Sequence, residues 1–171
     1  MNVTVVLDNV RSLYNVGAVM RACDGAGVTR VIACGITPYP SAGRLDPRRG
    51  PVAARADREL RKTALAAIGA VRVEHVTTVA EAIVRLRTEG ATVVAVEIAS
   101  HALPLWWSPV LDVAPLALVF GHETEGLSPE VLALVDATIS IPMRGAGTSL
   151  NVATAAAVVL YEALRRQSQP S

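Results

Sequence analysis

Three separated stretches hold the residues whose types and spacing could do chemistry. The first runs Asp8-Asn9-Val10-Arg11-Ser12-Leu13-Tyr14-Asn15-Val16-Gly17, with Arg21 six residues beyond Asn15. An amide at position 15 can cap or brace the start of a helix, and Gly17 lets another segment approach that helix closely. Arg21 falls within that helix and, read alone, is a surface or salt-bridging arginine. In the second stretch, Gly121-His122-Glu123-Thr124-Glu125-Gly126, an apolar strand ends in two glycines that flank two carboxylates. The third, Ile141-Pro142-Met143-Arg144-Gly145-Ala146-Gly147-Thr148-Ser149-Leu150-Asn151, is a glycine-rich loop running into the last helix. Ser149 is its expected N-cap, and the free amides of such a terminus suit an anion or a polar ligand. The Gly-x-Gly here precedes the last helix, whereas a dinucleotide fingerprint follows the first strand. After Leu7 the chain reads Asp-Asn-Val-Arg-Ser-Leu-Tyr-Asn, which argues against a dehydrogenase. His75, His101 and His122 are scattered, and only His122 lies in one of the three stretches; it is read as a loop residue rather than a general base. No cluster has metal-ligand spacing, so no metal is expected.

The elements that must position these residues alternate strand and helix. Strands are expected at Asn2–Leu7, Val28–Cys34, Val71–Val76, Thr92–Ile98, Leu116–Phe120 and Thr138–Ile141. The continuous apolar runs among them suit strands buried on both faces. Helices are expected at Val16–Ala26, stopped by Gly27, and at Arg55–Ile68. A third opens at the Thr78/Glu81 capping box and ends at Gly90, a short one follows Ser128-Pro129, and the last spans Leu150–Arg166. Gly35 to Pro51, with four prolines and three glycines, reads as a long loop. The order predicts an α/β domain with a mostly parallel sheet and helices on both faces, its ligand loops at the carboxyl ends of the strands.

Length and composition bound the rest. A chain of 171 residues with 51% hydrophobic content fits one domain with a sizeable core. Its apolar runs are too short for a membrane helix, and Met1 leads straight into a strand without a signal-peptide pattern. Cys23 and Cys34 lack disulfide or zinc spacing and read as buried thiols in a reducing compartment, the cytoplasm. The net charge is only +1, but Arg44 to Lys62 holds seven basic residues against three acidic, a local +4 dominated by arginine. That segment is a candidate RNA surface, with Tyr39 as a candidate stacking ring.

Together, in this order, the three stretches closely resemble the motifs of the SPOUT superfamily of methyltransferases, in particular the TrmH-like ribose 2′-O-methyltransferases. The resemblance spans Leu7 to Glu162. It is carried by Asn15, Gly17 and Arg21, by Gly121, Glu123 and Gly126, and by Ser149, Leu150 and Asn151. It implies transfer of a methyl group from S-adenosylmethionine to a ribose 2′-hydroxyl of RNA, with tRNA slightly favoured over rRNA. A non-catalytic RNA-binding protein of the same fold is the alternative. It also implies a C-terminal trefoil knot, a feature that periodicity does not reveal, and a single SPOUT domain over 1–171 without a separate RNA-binding domain. The implied catalytic residues are Arg21, Asn15, Glu123, Ser149 and Asn151. Arg21 would hold a phosphate and stabilise the alkoxide, with Glu123 pairing with an arginine. Cofactor contacts are implied at Val96, Glu97, Gly121, Ile141, Met143, Ser149 and Leu150, with Gly121 admitting the ligand to the main chain. Arg11, Arg44, Arg48 and Arg49 are the candidate RNA contacts. A homodimer through the first and last helices is implied, and the Ala- and Val-rich run Val152 to Val159 would allow its close approach.

Overall fold

The computed structural model describes residues 2 to 168. The ends of the expected domain, Met1 and 169–171, lie outside them. Seven strands form one sheet: β1 (Val3–Asp8), β2 (Arg30–Cys34), β3 (Arg72–Val76), β4 (Thr92–Val96), β5 (Leu103–Pro104), β6 (Leu116–Phe120) and β7 (Ala137–Ser140). Their order is β3-β2-β1-β6-β4-β7-β5, and every ladder is parallel. The helices are α1 (Leu13–Gly25), α2 (Gly50–Ala64), α3 (Ala67–Ala70), α4 (Val79–Thr88), α5 (Pro129–Leu132) and α6 (Val152–Gln167).

Successive side chains of a strand point to opposite faces, so each strand feeds two cores. On β1, Val5 and Leu7 join Val16 and Met20 of α1, Leu60 of α2 and Val159 of α6. Val6 faces the other way, with Ile83 and Leu86 of α4 and Val131 of α5. Helices therefore cover both faces, as the continuous apolar strands require. At Gly17 a Cβ would collide with Thr63 Oγ1, so the glycine is what lets α2 lie close against α1. Burial pushes the Cys23 and Cys34 thiols up to about 12, which makes them protonated, inert members of the core.

The structure departs from the expected boundaries in three informative places. β5 has two residues, one of them proline, and offers no period to read. α2 begins at Gly50 with Pro51 in its first turn, where a missing N–H costs nothing. It stops at Leu65, whose φ of 51° breaks the expected run to Ile68 and leaves α3 as a separate turn. The N-cap of α6 is Asn151, not Ser149: Asn151 Oδ1 accepts from Ala153 N at 2.9 Å.

The carboxyl end of α6 clamps the segment between β5 and β6. Arg166 donates to Trp106 O at 2.6 Å, and Gln167 donates to the carbonyls of Leu111 and Val113 at 3.2 Å. Glu162 holds Arg166 in place, and hydrogen bonds from Arg165 and then Arg166 hold its carboxyl down to about 2. A depressed carboxylate stabilises the fold above its unfolded value, and that contribution is lost as pH falls through the folded one. Glu162→Gln is expected to cost about 1–3 kcal/mol at pH 7. Denaturant melts should show the gap from the parent narrowing between pH 5 and pH 2; a gap independent of pH would refute the ionic role.

Candidate active site

The site is assembled at the carboxyl ends of β4, β6 and β7. After β6 the chain makes a tight hairpin, in which His122 N donates to Gly126 O at 3.2 Å and Gly126 N to His122 O at 3.0 Å. Gly126 needs its positive φ of 68°, and a side chain there would strike Glu97. Glu97 braces the turn, accepting from Leu127 N and Ile98 N, each at 2.8 Å.

Glu123, at the tip, reaches the first stretch. Its Oε1 accepts from Asn15 Nδ2 at 2.9 Å and from Ser12 N at 3.0 Å, and its Oε2 accepts from Arg11 N at 3.1 Å. Asn15 in turn accepts from Asn151 Nδ2 at 3.1 Å. One hydrogen-bonded chain thus joins all three stretches, across sequence separations above 100 residues. Burial alone would raise the Glu123 carboxyl, but the donors from Asn15, Arg11 and Ser12 outweigh it and hold the group below its ordinary value. It is an ionised acceptor at neutral pH. No arginine side chain pairs with Glu123 among the described residues, which corrects the expected ion pair.

Beside this chain lies a cavity of about 370 Å³. All seven residues expected at the cofactor line it, as do Glu123 and Thr148. Val96, Ile141, Met143 and Leu150 supply apolar wall. The loop from Ile141 to Leu150 makes no backbone hydrogen bond among the described residues, so its donors and acceptors are open to solvent or ligand. Gly121 lines the cavity and also answers to a constraint within the chain: a Cβ there would lie 2.5 Å from the carbonyl carbon of Gly126, so the hairpin itself presses on this position.

Arg21 lies about 9 Å along α1 from Asn15 and about 120° around it. It is exposed, does not line the cavity, and forms no ion pair among the described residues. Arg11, Arg44 and Arg49 are likewise exposed and unpaired among them. Arg48 is not available: it donates to Asp46, to Tyr39 O at 2.9 Å and to Pro40 O at 3.1 Å, and it lies 3.7 Å over the Tyr39 ring. His75 stacks on Tyr39 at 4.5 Å, and two groups this close need opposite faces, so no face is left for a base. Arg48 and Tyr39 shape the loop instead. Ser12, which caps α1, and Thr37 also hold the site. Thr37 Oγ1 donates to Leu7 O and accepts from Val10 N, each at 3.0 Å, holding the turn after β1. A separation of 27 residues leaves no local signal for that pairing.

The three stretches thus converge at the carboxyl end of one parallel sheet. A model of the SpoU rRNA Methylase family matches residues 49–161, and the chain belongs to that family. It is similar to the tRNA (guanosine(18)-2′-O)-methyltransferase of Escherichia coli, with 30% identity covering 97% of this chain and 64% of that protein. The chain thus spans about two thirds of that relative's length. Similarity to the enzyme of the same name from Thermus thermophilus is 34%, covering 97% of this chain and 76% of that protein. Among solved structures, the SpoU methyltransferase AviRb from Streptomyces viridochromogenes in complex with AdoMet matches with a TM-score of 0.74 and 26% identity. That match covers 96% of this chain and 57% of that one.

Proposed function

We propose that the chain transfers a methyl group from S-adenosylmethionine to a ribose 2′-hydroxyl of RNA. The observation that carries this is the hydrogen-bonded chain Asn151–Asn15–Glu123, whose Glu123 lines the cavity. The residues present fit the methyl donor. A cavity of about 370 Å³ is of ligand size, and the unpaired backbone of 141–150 offers adenosine both donors and acceptors. Glu97, Glu123 and Glu125 on the wall favour a cationic ligand. When bound, S-adenosylmethionine supplies an electrophilic methyl on a sulfonium.

The protein's own residues orient and polarise the acceptor. Glu123 fixes the amides of Arg11 and Ser12 and thereby the start of α1. Asn15 and Asn151 hold each other in place, and Ser149 presents a hydroxyl to the cavity. Arg21 stabilises the negative charge that builds on the 2′-oxygen as it takes the methyl from the sulfonium and releases its proton to solvent water; a guanidinium stays protonated and acts by charge. Because Arg21 does not line its own chain's cavity, this role has it reach the site of a second copy, in a homodimer through α1 and α6 whose exposed Tyr14 and Tyr161 would be covered there. A C-terminal trefoil knot belongs to this reading. It is supported by β7 lying between β4 and β5, so that the 97–102 connection must pass across it. RNA contacts fall to Arg11, Arg44 and Arg49 on one domain. The buried free thiols accord with the cytoplasm, and tRNA is favoured slightly over rRNA, as in the relatives' names.

Methyl transfer from labelled S-adenosylmethionine into unmodified tRNA and rRNA transcripts, with nucleoside analysis, tests the reading. Label should appear as a 2′-O-methyl nucleoside. Arg21→Ala should lower the rate about 100- to 1000-fold while S-adenosylhomocysteine affinity holds. Near-full activity in Arg21→Lys would show that the fork geometry is irrelevant. Absence of cofactor binding in calorimetry would leave the RNA-binding alternative in front.

A further inference from the structure

The proposed cofactor cavity lies at β4, β6 and β7, yet the ordinary ligand crevice of such a sheet lies elsewhere. Ligands of open α/β sheets bind where neighbouring strands send their connections in opposite directions. Here that point falls between β1 and β6. A second cavity of about 620 Å³ opens there, walled by Asp8, Asn9 and Arg11 on one side and by Ile36, Val79 and Val131 as apolar surface. His122, Glu125 and Gly126 line both cavities, so the two are neighbours.

Asp8 is the unusual group in it. It is only 7% exposed and sits at the end of a core strand. Its Oδ1 accepts from Asn9 Nδ2 at 2.9 Å. Its Oδ2 accepts nothing, and its carboxylate forms no ion pair, among the described residues. Asn9 is rigidly set: its φ is 55°, its N donates to Cys34 O at 3.3 Å, and its Oδ1 accepts from Ile36 N at 3.2 Å. Any side chain at Gly35 would collide with that amide. Burial pushes the Asp8 carboxyl above its ordinary value. A buried carboxylate short of donors on a cavity wall suits a ligand that brings N–H groups.

We propose that this second cavity receives the base of the nucleotide whose ribose is methylated, and that Asp8 selects guanine by accepting its N1–H and N2–H. The inference rests on the methyltransferase reading above. Guanine alone among the four bases sets two donors side by side on its pairing edge. Uracil flanks its single N–H with carbonyls that repel the second carboxylate oxygen, and adenine and cytosine each set an acceptor beside their amino group. Ile36, Val79 and Val131 contact the faces of the ring, and the unpaired Arg11 at the rim meets the flanking phosphate. The turn that carries Asp8 also carries the Arg11 and Ser12 amides held by Glu123, so base selection and ribose placement share one rigid segment.

The test uses the full chain saturated with S-adenosylhomocysteine or S-adenosylmethionine. Labelled transfer into unmodified tRNA and rRNA transcripts should give 2′-O-methylguanosine only. Transcripts with inosine in place of guanosine lack the N2 donor and should lose about 10- to 100-fold in kcat/KM. Asp8→Asn should lose as much on guanosine RNA and little more on inosine RNA, with S-adenosylhomocysteine affinity unchanged as the control for folding. Label in 2′-O-methyluridine, -cytidine or -adenosine, or inosine RNA methylated as fast as guanosine RNA, overturns the assignment while leaving the methyltransferase reading intact. A second arm does not depend on turnover. Guanosine 5′-monophosphate at millimolar concentration should shift the amide resonances of Asn9, Ile36 and Gly126, and uridine 5′-monophosphate should not. No shift with the guanine nucleotide overturns the pocket even in a chain that methylates RNA; a shift in a chain that transfers no label sustains the pocket and sinks the activity.

Discussion

Glu123→Gln is expected to reduce methyl transfer by about 100-fold or more, for a reason written in the donors around it. The carboxylate accepts from Asn15 Nδ2, Ser12 N and Arg11 N. A glutamine has one acceptor oxygen, and its amide nitrogen would face donors whichever way it is turned. At least one N–H is left without a partner, at a cost of about 1–3 kcal/mol, and the turn from Arg11 to Ser12 must shift. Displacement of a positioning segment by about 1 Å is enough for a loss of this size. Because Asn15 also holds Asn151, the shift propagates to the start of α6. Single-turnover transfer should show the loss in the chemical step, with S-adenosylhomocysteine affinity falling less. Activity within a few-fold of the parent would falsify the role given to this carboxylate.

Gly121→Val is the second large effect, and it separates two explanations of one glycine. If a ligand were the group pressed against Gly121, the variant would lose binding and keep its fold. The geometry says otherwise: a Cβ would lie 2.5 to 2.7 Å from the Gly126 and Leu127 backbone, which cannot rotate away as a side chain can. The hairpin must open, Leu127 N must leave Glu97, and the core lining of Leu127 must move with it. Overpacking of this kind costs about 1–3 kcal/mol. Thermal unfolding should fall together with S-adenosylhomocysteine affinity, the latter by about tenfold or more, since a shift on this scale reduces the fit of every contact on that wall. An unchanged melting temperature with lost binding would restore the ligand explanation.

The three stretches were legible in the sequence because each joins a strand end to a turn or helix start, where residue type is constrained locally. Gly27 ends α1 at φ 74°, Thr78 caps α4, and Ser128 caps α5, all as their types dictate. The two-faced parallel sheet was legible too, because strands such as Leu116–Phe120 are apolar at every position. Other features were set by contacts between distant segments. β5 exists because β7 lies beside it, pairing Leu103 with Ile139. Asn151, not Ser149, caps α6, in a position where its amide also reaches Asn15. Glu123 takes backbone amides and not an arginine, and Arg48, counted with the RNA surface by composition, is turned inward onto Asp46 and Tyr39.

The division has one physical cause. Propensity, capping and hydrophobic period act over a few residues, so the sequence by itself determined which elements form and which residues stand at their ends. Partner choice among charged and amide groups depends on which segments the sheet order brings within about 3 Å of one another. That order, with β6 between β1 and β4 and β7 between β4 and β5, was decided only in the tertiary structure.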